Sequence, residues 1–112
     1  MEDFRGIILY NIELNGNLNG VYTNNHKDKK GEILNEIAKL RTRTETDSIV
    51  EIYDCVYFEG NREHISCTLT FTITNGIINA VWQPVDQEKP LYRGEGFKMN
   101  DHQIAISYWF AT

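Results

Sequence analysis

The chain has 112 residues, room for one domain with one core, and its 41% hydrophobic and 12% aromatic content lies far from the disordered range. A net charge of −5 repels a nucleic-acid backbone, and no run approaches the ~20 apolar residues that a membrane-spanning helix needs. Nucleic acid and membrane are therefore not expected partners.

The opening Met-Glu-Asp-Phe-Arg-Gly has neither the basic start nor the small-residue cleavage site of a signal peptide. The expectation is a cytoplasmic chain whose two cysteines, Cys55 and Cys67, stay reduced. With no internal repeat and no Pro/Gly-rich linker, residues 1–112 read as a single domain.

In residues 4–14, Ile8, Tyr10, Ile12 and Leu14 recur at alternate positions, which predicts a strand. Ile7 and Leu9 occupy the other face, so this strand is expected to be covered on both sides near its start. Asn15-Gly16-Asn17 is a turn signal, residues 18–24 a second strand, and residues 24–30 a polar, lysine-rich loop. Residues 31–41 place Ile33, Leu34, Ile37 and Leu40 at helical spacing among good helix formers, which predicts a short helix, with a strand as the alternative.

Residues 49–58 form a strand with apolar side chains on both faces. Gly60-Asn61-Arg62 turns it back into the firmest element of the sequence. From Ile65 to Thr74 an apolar residue alternates with a hydroxyl residue without a break, the pattern of a half-buried strand. Asn75-Gly76 then suits a type I′ turn, because both central residues need positive φ. That hairpin sets Ile73 opposite Ile78, Phe71 opposite Ala80 and Leu69 opposite Trp82. A three-residue loop centred on Asn61 puts Cys55 opposite Cys67 inside, whereas a two- or four-residue loop turns Cys55 outward and Val56 and Phe58 in.

Pro84 ends the next strand, and residues 84–90 form an exposed acidic loop. Residues 91–99 and 102–110 make the last hairpin around Asn100-Asp101, in which Phe97 faces Ile104, Glu95 faces Ile106 and Arg93 faces Tyr108. If Phe97 points inward, Arg93 and Glu95 follow it. The candidate ligand-binding set is then Phe71, Trp82, Arg93, Glu95 and Tyr108, two charged anchors among aromatic walls. Two other arrangements stay open, an internal Arg93–Glu95 ion pair and a bulge at Gly94-Glu95-Gly96 that sends both charges to solvent. Trp109 and Tyr57 are placed on the outer side, as a partner surface or a seat for the helix.

Seven or eight strands joined by short turns predict a mainly β fold, a single antiparallel up-and-down barrel with one short helix; a two-sheet sandwich is the alternative. Leu18-Asn19-Gly20-Val21-Tyr22-Thr23-Asn24 resembles the Gly-x-Trp first-strand motif of the calycins, the lipocalin and avidin-like barrels. Here Tyr22 stands where that family carries tryptophan, and a full strand precedes the motif. The resemblance implies an up-and-down barrel whose mouth or interior takes a small apolar ligand. In size, meander and the terminal Gly-x-Gly and Tyr strands the chain is also similar to small lipocalin-like regulators of bacterial type III secretion, which bind a protein partner.

His26, His64 and His102 lie apart in or beside turns, in no metal-ligand spacing, and neither cysteine has a base arranged beside it. No phosphate loop, nucleophile elbow or carboxylate pair occurs, so no enzyme activity, metal or cofactor is expected. The leading expectation is a non-enzymatic barrel that binds a small, partly apolar ligand. The competing one is a protein-interaction or regulatory module with a filled barrel, acting on a protein partner or as a homodimer.

Overall fold

The computed structural model describes residues 3–26, 31–59 and 64–111. In them the chain forms eight antiparallel strands in sequence order, and β8 pairs back onto β1 to close a barrel. The strands are β1 (Gly6–Ile12), β2 (Leu18–Asn24), β3 (Leu34–Glu45), β4 (Ile49–Phe58), β5 (His64–Thr74), β6 (Ile77–Pro84), β7 (Tyr92–Asn100) and β8 (Gln103–Phe110). Closure removes the free edges that a sandwich would have to protect.

The β5–β6 hairpin has the expected register, with Ile73, Phe71 and Leu69 paired to Ile78, Ala80 and Trp82. Its turn residues Asn75 and Gly76 have φ of 52° and 81°. A Cβ added to Gly76 meets nothing within 4 Å, so only backbone strain opposes it. Gly76→Ala is expected to lower unfolding free energy by about 1 kcal/mol in a denaturant titration, the cost of a left-handed backbone for an L side chain.

Cys55 pairs directly with Cys67, both buried and free, so the odd-loop register holds although Gly60, Asn61 and Arg62 lie outside the described residues. The same parity carries Tyr57 inward, where it is 4% exposed, against the outward placement expected for it. Trp109 does face outward, with the Arg5 guanidinium 5.5 Å from its ring centroid. Of the polar loop expected at 24–30, residues 27–30 also lie outside the described residues.

Two further expectations are corrected. The first is the helix at 31–41, where the structure has β3 instead, and no described residue is helical. Leu34, Glu36 and Ala38 point in while Asn35, Ile37 and Lys39 point out. The helical spacing arose because Ile33 and Ile37 are apolar residues left on the outer face, 73% and 41% exposed. Pairing with strands on both sides outweighs local helix propensity.

The second concerns the last hairpin. Its turn is Asp101-His102, closed by an Asn100–Gln103 pair, and the register shifts between Lys98 and Asn100. The Asn100 side chain builds this turn: its Oδ1 accepts from the His102 N–H at 2.8 Å and its Nδ2 donates to Gln103 at 3.0 Å. The bulge at Met99 reverses the parity of everything before it. Gly94 and Gly96, rather than Arg93 and Glu95, therefore lie opposite Tyr108 and Ile106. Arg93, Glu95 and Phe97 are exposed, so of the three arrangements the outward one holds, with the bulge beyond the glycines.

The interior follows one packing rule. Each interior glycine lies opposite a large side chain: Gly6 and Gly94 opposite Tyr108, Gly20 opposite Tyr10, and Gly96 opposite Ile106. At Gly6 and Gly20 the large residue leans over the missing one, so a Cβ on Gly6 would stand 2.0 Å from the Tyr108 ring; at Gly94 the space is taken by Ile106 and Trp82, and at Gly96 by the backbone of β8. Eight strands enclose only enough space for side chains of this mixed size. Tyr10, Leu69 and Phe71 fill the centre with no exposure.

Candidate functional site

Across the row Tyr10, Gly20, Glu36 and Tyr57 on β1 to β4, the absent side chain at Gly20 opens a lane through the interior. Along it the Tyr10 hydroxyl reaches the Glu36 carboxylate two strands away and donates to Oε2. From the opposite wall the Trp82 indole N–H donates to both carboxylate oxygens, at 3.1 and 3.3 Å. Glu36 is 4% exposed, and among the described residues no Lys, Arg or His pairs with it. Burial pushes its carboxyl up to about 7, opposed by the hydrogen bonds from Tyr10, Trp82 and Cys55, which favour the ionised form.

Above Glu36 four tyrosines form a closed collar. Ring centroids run Tyr22 to Tyr57 at 6.4 Å, Tyr57 to Tyr92 at 6.2 Å, Tyr92 to Tyr108 at 5.7 Å and Tyr108 back to Tyr22 at 6.3 Å. Interplanar angles of 70 to 87° make every contact edge-to-face, the arrangement the aromatic quadrupole favours. Alternation supplies the four rings from β2, β4, β7 and β8 at one level of the barrel. Outside the collar, Phe4 stacks on Tyr92 at 5.8 Å and on Phe110 at 4.2 Å, forming an aromatic rim.

The hydroxyls differ. Tyr22 donates to the Phe58 carbonyl at 2.6 Å, and Tyr108 accepts from the Asn24 side chain at 3.1 Å. The buried Tyr57 hydroxyl has no partner among the described residues. Burial raises the tyrosines of the collar, Tyr92 to about 12, so all four are neutral near pH 7. Cys55 is held well above its ordinary thiol value, first by its hydrogen bond to Cys67 and then by burial, and so is a poor nucleophile.

Collar and carboxylate border a cavity of about 20 Å³ lined by Ile8, Glu36, Tyr57, Trp82, Tyr92 and Tyr108. That volume holds one water-sized group, against ~300 Å³ or more for a drug-sized ligand. Of the residues expected from sequence, Trp82 and Tyr108 line this cavity, and Phe71 packs below it against Tyr10 at 5.9 Å. Arg93 and Glu95 take no part, being on the outer surface. Glu36, Tyr10 and Tyr57 were missed, although Leu34, Glu36 and Ala38 share one parity and mark a charge on an otherwise apolar face.

Chemically the site offers a carboxylate with spare lone pairs, a hydroxyl and aromatic walls. His26, His64 and His102 are exposed, and no group of three metal-ligating side chains occurs among the described residues. No protein-family model matches the chain, and neither a curated protein nor a solved structure matches it.

Proposed function

We propose that this chain is a non-enzymatic, lipocalin-like barrel that binds a small, partly apolar ligand at its collared end. A compact polar head enters the cavity between Glu36 and Tyr57, and the apolar body lies against the rim of Phe4, Tyr92 and Phe110. The observation that carries this reading is a buried carboxylate and an unpartnered buried hydroxyl lining the same cavity. Both are costly to leave in a core, and a ligand that hydrogen-bonds them offsets that cost. The filled centre excludes a long acyl chain threaded down the barrel.

The Trp82 indole N–H, hydrogen-bonded to Glu36, is the reporter in a ¹⁵N-edited NMR titration. At least one of propan-1-ol, propionate and propylammonium is expected to move it, and dodecanoate is not. If none of the three short compounds moves it, the binding reading is wrong.

A second reading, a filled-barrel interaction module that homodimerises, has its own support. On the outer surface Ile77, Phe97, Ala105, Leu9 and Val21 are successive cross-strand neighbours over β6, β7, β8, β1 and β2. Ile77, Phe97, Leu9 and Val21 are each more than 40% exposed, forming a continuous apolar belt. Light scattering after size exclusion tests it. A dimer that Phe97→Glu converts to monomer, together with an unmoved Trp82 signal, would favour this reading over the first.

A further inference from the structure

We infer that the head group this cavity selects is a primary organic ammonium, R–NH₃⁺. The inference rests on the binding reading above and names its ligand class. Three features of the cavity agree on it. Its size matches –NH₃⁺, which occupies about the volume of one water, whereas a trimethylammonium is several times larger.

Its polar groups match the three N–H donors. Tyr10, Trp82 and Cys55 already donate to the Glu36 carboxylate, which has about four lone-pair sites, so it has room for about one further donor. The Tyr57 hydroxyl adds a second, otherwise unused acceptor.

Its walls match a cation. The rings of Tyr57, Trp82, Tyr92 and Tyr108 border the same small space, and aromatic faces attract a desolvated ammonium. An anionic head would meet the Glu36 carboxylate, and a neutral hydroxyl would use neither the charge nor the ring faces. The carboxylate lacks a cationic partner among the described residues, so an ammonium supplies the missing counter-charge.

The titratable groups around Glu36 are Tyr10 and Cys55, which hydrogen-bond to it, and the four collar tyrosines. Burial among other causes raises Tyr10, Cys55 and the collar phenols, so the carboxyl is the group whose ionisation governs the site near neutral pH. Binding R–NH₃⁺ to the protonated site releases that proton to solvent. Affinity therefore rises with pH, by about thirtyfold between pH 5.5 and 8.

The test is a titration of the full chain with n-propylammonium chloride, propan-1-ol, sodium propionate and propyltrimethylammonium chloride at matched ionic strength, read at the Trp82 indole N–H. Propylammonium is expected to bind at least about tenfold more tightly than each of the others, a factor within reach of one charge-assisted hydrogen bond. Glu36→Gln is expected to abolish that preference and its pH dependence. Tyr57→Phe, which keeps the ring and loses the acceptor, is expected to weaken propylammonium about fivefold. If propan-1-ol or propionate binds as well as propylammonium, the ammonium assignment fails and the binding site stands. If the trimethyl compound binds best, selection of –NH₃⁺ by size fails. If no compound moves Trp82, the site itself fails.

Discussion

Replacing Glu36 with glutamine is expected to make the protein more stable at pH 8 and to flatten its stability between pH 5 and 8. The carboxyl is raised from 4.5 to about 7 by burial. A carboxyl raised in the folded state binds its proton more tightly there than in the unfolded chain. Its contribution is therefore fully present below about pH 4.5 and is lost as the pH rises through 7. A rise of this size corresponds to on the order of 3 kcal/mol, and the wild-type protein should lose that much across the window.

Glutamine keeps a neutral acceptor for Tyr10 and Trp82 without the cost of a buried charge. Urea titrations at pH 5, 6, 7 and 8 measure the effect. Parallel stability curves for wild type and variant across that window would show that Glu36 is not the buried acid described here.

The second large effect is expected at Gly96→Ala, which should lower stability by about 3 kcal/mol, at the upper end for overpacking a well-filled interior. A Cβ at this position would lie 1.9 Å from the Ala105 carbonyl oxygen and 2.7 Å from the Ile106 Cα. Both obstacles are backbone of the paired strand, so no rotamer change relieves them and β7 must separate from β8. Gly76→Ala makes the contrast, since there the space is open and only the dihedral resists. Guanidinium unfolding of both variants should rank Gly96→Ala well below Gly76→Ala. Equal midpoints would contradict the close β7–β8 packing.

The functional consequence lies in where these costs fall. Gly20, which lets the Tyr10 ring lean across β2, also opens the lane from Tyr10 to Glu36. Packing density in this barrel and the polarity of its collared end come from the same small-against-large pattern. A Cβ at Gly20 would meet the Tyr10 ring at 2.8 Å and push the donor away from the carboxylate.

Much of the architecture was legible in local pattern. Unbroken alternation over Ile65 to Thr74 and the Asn75-Gly76 pair determined the central hairpin, its register and the inward placement of Phe71 and Trp82. Such signals are local, because a two-residue turn and a period of two leave one way to bury the apolar face. Leu18–Asn24 was equally plain as a strand, and the expected barrel, with eight strands, is the fold observed.

What tertiary structure decided depended on parity carried over from a turn or supplied by neighbours. One residue of bulge at Met99, with Asn100 holding the turn, moved Arg93 and Glu95 from the inside to solvent and left glycine in their place. Glu36 was hidden for a related reason: β3 has apolar residues on its outer face, so its sequence looked helical until β2 and β4 fixed which side was in. The sequence by itself determined a barrel with an aromatic interior. Only closure of that barrel decided that its buried charge is Glu36, ringed by four tyrosines, because the residues involved are far apart in the chain and meet through register alone.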